Sequence, residues 1–231
     1  MNMERIIFIE TSTELCSTAL SEDGRIIESR QSSGRKHASL TAPFIKEMLD
    51  CHDLRVKDCS AVCVSMGPGS YTGLRVGVST AKGLCFGSGI PLIAVGSLDT
   101  LVWQAIEQEL LPDGCRYIVP MIDARRMEVY TAIFSADGTQ VSPTKPEIIE
   151  PDSFSEYLAQ GPVLFIGDGA GKCSGTITSP SATFIQTCPE ARFMLHPALS
   201  SLRDKKFEDV AYFEPFYLKQ FVPTISKKKL I

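Results

Sequence analysis

Hydrophobic positions along this chain switch between a period of two or a continuous run and a helical period, and the switches outline its elements. Arg5-Ile-Ile-Phe-Ile-Glu10 is an apolar run that ends in an acid, which predicts a buried strand. The polar turn Thr11-Ser-Thr-Glu14 leads to a second strand over residues 15–20. Ser21-Glu-Asp-Gly24 leads to a third over 25–29. Leu40, Phe44 and Met48 then recur at helical spacing with Ile45 and Leu49 beside them, and Pro43 predicts that this helix starts just before it. Apolar runs over 61–65 and 91–95 predict strands on either side of a glycine-rich helix. Ser97 reads as the N-cap of a further helix carrying Leu98, Leu101, Val102 and Ala105 on one face.

The N-terminal pattern then returns. Tyr117-Ile-Val-Pro-Met-Ile-Asp123 is again an apolar run ending in an acid; Ala124-Arg-Arg126 is a turn, 127–134 a strand, and Ser135-Ala-Asp-Gly138 a second turn. Ser153-x-x-Glu156 predicts a capping box, Val163-Leu-Phe-Ile166 a buried strand, and 189–203 a final helical region. Three strands, helix, strand, helix, strand, used twice, is the order of the actin-like ATPase (ribonuclease H-like) α/β fold. It predicts two related lobes, each a mixed sheet with flanking helices: residues 1–98, and a smaller, degenerate lobe over 99–231 whose last helix can pack back on the first. In that fold the acid-ended hairpin of each lobe forms a phosphate loop, so Glu10, Thr11 and Asp123 are the candidate remnants of one.

The most informative stretch is Gly67-Pro-Gly-Ser-Tyr-Thr-Gly-Leu-Arg-Val-Gly-Val-Ser-Thr-Ala-Lys-Gly-Leu84. Gly73, Gly77 and Ala81 recur every four residues of a helix, and each helical glycine costs about 0.5–1 kcal/mol relative to alanine. Repeated acceptance of that cost on one face predicts another backbone close by. Apolar residues spread over more than one stripe of this helix and of the one before it predict burial on two sides, one the core and one a partner.

Together with Glu10-Thr-Ser-Thr13, Cys16-Ser-Thr-Ala-Leu20, Arg35-Lys-His-Ala-Ser39, Ile122-Asp-Ala-Arg-Arg126 with Val129-Tyr130, Ile166-Gly-Asp-Gly169 and Pro215-Phe-Tyr-Leu-Lys219, this stretch resembles the bacterial TsaB (YeaZ) family over nearly the whole chain. The resemblance implies a non-catalytic subunit that pairs with a catalytic paralogue, TsaD, in forming N6-threonylcarbamoyladenosine in tRNAs reading codons that start with A. A small ATPase, TsaE, joins the complex, and tRNA is engaged indirectly. The helices matching 40–49 and 72–86 would form the pairing surface, which predicts His37, Leu40, Phe44, Met48, Tyr71, Leu74, Gly77, Val78 and Ala81 at the interface. Alone, the same surface could self-pair into a homodimer. Glu10 departs from the family, which has aspartate there.

Composition narrows the chemistry. The 231 residues carry a net charge of −4, so any nucleic-acid contact must be local, with Arg125-Arg126 and Lys227-Lys228-Lys229 as the basic clusters. Eight cysteines without a CxxC pair and no membrane-length apolar run predict reduced thiols in a cytoplasmic protein. Three histidines far apart in sequence offer no metal-binding pair, so no metal and no cofactor is expected. His37 reads as a helix-start residue and His196 as a loop residue. Gly67–Gly73 has neither dinucleotide nor P-loop spacing, and Gly167-Asp-Gly-Ala-Gly-Lys172 reads as a glycine turn or a remnant adenosine loop. A small-molecule kinase and a glycoprotease-type peptidase are the rival readings; each needs a site that the motifs do not assemble.

Overall fold

Strand β1 (Arg5–Glu10) is the centre around which the first lobe is layered. Its residues Ile6 to Ile9 are all fully buried, because helices cover both faces of the sheet. The computed structural model describes residues 3–34 and 36–218; Arg35, Lys219 and the lysines at 227–229 lie outside them. β2 (Cys16–Glu22) and β3 (Arg25–Ser32) continue antiparallel from β1, while β4 (Ala61–Gly67) and β5 (Leu92–Gly96) extend the sheet in parallel on its other side, in the order β3-β2-β1-β4-β5. Ile7 and Ile9 pack with Val62 and Val64 against α1 (His37–Cys51) and α2 (Tyr71–Ser88). Ile6 and Phe8 pack on the opposite face against Ala191, Met194 and Ala198, so α6 (Leu195–Arg203) and the turn before it form the other layer of the first lobe.

The second lobe repeats this plan. β6 (Tyr117–Asp123) pairs antiparallel with β7 (Glu128–Thr131), β7 with β9 (Lys145–Ile148), and β6 runs parallel to β10 (Val163–Ile166), which pairs with β11 (Ala182–Ile185). Read as β9-β7-β6-β10-β11, the order matches the first sheet strand for strand. The short β8 (Phe134–Ser135) folds back on β6. α3 (Ser97–Glu107) covers one face through Leu98, Leu101, Val102 and Ala105. The short α4 (Ser155–Leu158) and α5 (Ala170–Cys173) cover the other.

Several local expectations are corrected. Pro43 sits inside α1 rather than at its start; it and Ser39 are exposed, so the carbonyl that loses its partner faces water. Gly96, not Ser97, caps α3, because the Ser97 hydroxyl is buried against Ser65 Oγ at 2.7 Å. Ser153 accepts the Glu150 N–H instead of capping α4. The strand expected over 127–134 divides into β7 and β8. His196 lies on α6, its ring stacked on Trp103 with centroids 3.6 Å apart.

The glycine face of α2 packs against the turn joining β1 to β2. A Cβ at Gly69 would meet Ser12 O, one at Gly73 would meet Thr11 O, and one at Gly77 would meet Thr11 Oγ1. The backbone approached closely is therefore that of the chain's own hairpin, and the missing side chains leave room for Cα–H···O contacts. Ser70 N–H donates to Ser12 O at 2.6 Å, and Ser70 Oγ caps the helix by accepting from Gly73 N–H at 3.3 Å. Gly83 and Gly87, by contrast, face open space. Alanine at Gly73 or Gly77 should lower stability by about 1–3 kcal/mol in chemical denaturation, as overpacking does. Alanine at Gly83 should raise it by about 0.5–1 kcal/mol.

Candidate functional site

The two acid-ended hairpins mark the places where this fold would hold phosphate. In the first lobe Glu10, Thr11, Ser12 and Thr13 are all buried. One oxygen of Glu10, Oε1, accepts the Ser12 N–H at 2.6 Å; Oε2, Thr11 Oγ1 and Ser12 Oγ have no hydrogen-bond partner. Burial pushes the Glu10 carboxyl up to about 7, against the lowering effect of the Ser12 N–H that it accepts. With α2 seated on Thr11 and Ser12, the turn is covered by its own chain: the Thr11 and Ser12 carbonyl oxygens face helix backbone, and the Ser12 N–H, a donor a phosphate could use, is held by Glu10.

In the second lobe a lysine does the closing. Lys172 Nζ forms an ion pair with Asp123 Oδ1 and donates to Arg126 O and Glu128 O, both at 2.7 Å. Asp123 Oδ1 also accepts the Arg125 N–H at 2.9 Å, and Asp123 N–H donates to Asp168 Oδ1 at 2.8 Å. Burial raises the Asp168 carboxyl to about 6, offset in part by that N–H. The glycines before Lys172 are packing residues: a Cβ at Gly167 would meet Met121 O, and one at Gly169 would crowd Val129 and Asp123 N. The Gly167–Lys172 segment is thus a tight turn pressed on the end of β6, with its lysine committed to the hairpin.

The nine residues expected at a partner interface divide. His37, Met48, Leu74, Gly77, Val78 and Ala81 are buried within the lobe of the single chain. Met48, Val78 and Ala81 belong to the core beneath α1 and α2, and Gly77 faces Thr11. Leu40, Phe44 and Tyr71 are half-buried at the rim. Tyr71 is flanked by Tyr217, centroids 4.6 Å apart, and by the Arg75 guanidinium 4.1 Å over its ring. The outward ridge instead carries Ala38, Ala42 and Pro43 on α1, and Ser79, Gly83, Phe86 and Gly87 on α2. Phe86 is 87% exposed. Sequence reasoning passed over Phe86; its position one residue off the apolar stripe was the signal available.

Other chemistry is accounted for by packing. His52 Nε2 lies 3.0 Å from Glu28 Oε2, His196 is stacked on Trp103, and His37 opens α1 from inside the lobe. Among the described residues, no group of three or more His, Cys, Asp or Glu is arranged to hold a metal ion, and no helix is long and apolar enough to cross a membrane. A cleft of about 370 Å³ between the lobes is lined by Met66, Gly67, Asp99, Gln140, Thr144 and Phe216, and burial raises the Asp99 carboxyl.

The Glu10 environment has a measurable consequence. Its folded carboxyl titrates near 7 against a reference of 4.5, so the native state holds its proton more tightly than the unfolded state. That stability is complete below pH 4.5 and falls as pH rises towards 7, by about 3 kcal/mol. Glu10→Gln, which keeps an acceptor for the Ser12 N–H, should flatten this decline in denaturation curves taken between pH 4.5 and 8. An unchanged pH profile would show that Glu10 does not titrate in this range.

Comparison with known proteins follows the same lines. Residues 26–176 match the family model for TsaD, tRNA N6-adenosine threonylcarbamoyltransferase. The tRNA threonylcarbamoyladenosine biosynthesis protein TsaB of Escherichia coli is 30% identical over 98% of each chain, and that of Bacillus subtilis 31% identical over 93% of each. Among solved structures, an uncharacterized Pseudomonas aeruginosa protein described as similar to peptidase YEAZ superposes with a TM-score of 0.81 at 25% identity, covering 95% of this chain and 100% of that one. YeaZ from Pseudomonas aeruginosa shares the fold with a TM-score of 0.77, covering 94% and 100%. With two lobes of matching topology, a TsaD-family match over residues 26–176 and TsaB relatives aligned along almost their full length, this chain belongs to the TsaB (YeaZ) family.

Proposed function

We propose that this chain supports N6-threonylcarbamoyladenosine formation in tRNA as a subunit without a catalytic site of its own, pairing with TsaD. The observation that carries this reading is the sealed first hairpin. An active member of the fold needs the turn after β1 open to a phosphate; here it is buried beneath Gly69, Gly73 and Gly77. The same geometry argues against a small-molecule kinase. The three histidines are held in packing or pairing roles, which argues against a peptidase. The TsaD family model that matches residues 26–176 supports a partner of the same architecture.

The pairing surface is the outward ridge of α1 and α2. Gly83 and Gly87 meet nothing among the described residues, so their helical cost has no return there. A partner helix approaching closely gives them one, as small residues do at tight helix crossings. Phe86 is the apolar anchor beside them, and Ala38, Ala42 and Pro43 extend the flat ridge onto α1. TsaE and tRNA would engage the pair rather than this chain alone, in the cytoplasm. In the absence of TsaD the ridge self-pairs into a homodimer.

The test is size-exclusion chromatography with light scattering of the chain mixed with TsaD. Phe86→Glu and Gly83→Leu lie outside the core, so each should melt within a few degrees of the parent. Each should also abolish the 1:1 complex and the modification activity that depends on it. Retention of the complex and activity by both variants would rule out this surface. A soluble TsaD that never associates with the parent chain would remove the pairing reading itself.

A further inference from the structure

The loop between β6 and β7 carries two features that the sealed hairpins do not explain. Arg125 and Arg126 have φ values of 70° and 52°, consecutive left-handed residues that are not glycine. Asparagine, aspartate and glycine adopt this backbone most readily. Two other hairpin tips follow that preference, the β2–β3 tip Asp23-Gly24, with φ values of 46° and 76°, and the turn after β8, Asp137-Gly138, with φ 87° at the glycine; Glu109, Phe154 and Lys205 depart from it singly. At the β6–β7 tip it places two arginines instead.

That backbone is held from beneath. Lys172 Nζ donates to Arg126 O and Glu128 O and pairs with Asp123, and Asp123 Oδ1 accepts the Arg125 N–H. Two acids of the hairpin's surroundings are engaged there. Asp123 is neutralised by Lys172, and Asp168 accepts the Asp123 N–H. Both guanidinium groups are exposed, and neither forms an ion pair or side-chain hydrogen bond among the described residues. Met127 and Ile148, 37% and 66% exposed, lie beside them, with Ile149 N–H donating to Met127 O at 2.8 Å. A strained, rigidly supported tip presenting two unpaired arginines next to a small apolar patch has the chemistry of a phosphate contact.

We infer that Arg125 and Arg126 form a finger that contacts the RNA phosphate backbone. The inference rests on the reading that this chain works with TsaD on tRNA, and it places part of the RNA-binding field on this subunit. An overall charge of −4 makes a local, preorganised pair of arginines the form such a contact must take.

The test replaces the pair with Arg125→Asn and Arg126→Gly, which suits the left-handed backbone while removing both charges. The variant should melt roughly 2–4 °C higher. It should keep its 1:1 complex with TsaD while binding an unmodified tRNA transcript roughly tenfold more weakly. The slope of log affinity against log salt should fall by roughly 1.4–1.8, as expected for two lost phosphate contacts. Arg125→Lys with Arg126→Lys should keep most of the slope. RNA affinity and slope equal to the parent's, in the complex and in the isolated chain at low salt, would overturn the inference. So would unchanged RNA binding with loss of TsaD or TsaE capture, which would make the tip a protein contact. Failure of the parent to pair with TsaD would count against the pairing reading alone, because binding to the isolated chain still decides the finger.

Discussion

The closest approach in the first lobe is that of the α2 backbone to the turn after β1, and much of the rest depends on it. Two glycines and the residue before the helix cap let the oxygens of Thr11 and Ser12 reach helix backbone that a side chain would shield. Ser70 closes the join with one N–H donated to the turn and one hydroxyl turned to its own helix. This seating sets the direction of α2 across the sheet. It also decides which flank of α2 meets β1 and which is left outside with Gly83, Phe86 and Gly87. Glu10 is buried as a consequence: with the turn covered, its carboxyl has no route to water or to a cation, and holding a proton is the less costly state.

The second lobe reaches closure by a different route from the same topology. Its hairpin acid is partly exposed and stays paired, because Lys172 arrives from the loop after β10 and supplies charge where α2 supplies backbone. One turn is dry and holds an acid that burial pushes up to about 7; the other is a wet ion pair with three donations from a single ammonium. A glycine face buries a turn but adds no charge. A lysine neutralises an acid and leaves the tip of the loop in solvent. Thr11 to Thr13 of the first hairpin are accordingly buried, whereas Arg125 and Arg126 of the second are exposed.

Much of this was legible in the sequence, and the failures have physical reasons. β1, β6 and β10 follow the apolar runs residue for residue, because strands covered on both faces leave no period to misread. The repeated acid-ended run identified the paired lobes. β9 and β11 escaped notice because they are edge strands: β9 is mostly exposed and contains Pro146, and β11 is half-buried throughout. The glycine spacing correctly signalled a close backbone but not whose. A helix lying on a sheet has one stripe against its own core and another available to a partner, and small residues serve either. Met48, Leu74, Val78 and Ala81 lie on the stripe that is buried within the lobe, while Phe86 lies on the exposed one.

The position of the glycines along α2 separates the two uses. Gly73 and Gly77, in the first two turns, have hairpin oxygens where a Cβ would go; Gly83 and Gly87, in the last two, have nothing. Within one helix the same residue type is thus required by the monomer at one end and unexplained by it at the other. Helix stability alone favours alanine at the open pair, and nothing among the described residues accounts for glycine there. The sealed hairpin removes the chemistry that the fold usually performs, and the open glycines with Phe86 supply a surface for contact. The buried turn after β1 and the exposed Gly83, Phe86 and Gly87 thus sit at opposite ends of one helix, the first closed by the chain's own backbone and the second open at the surface of the described residues.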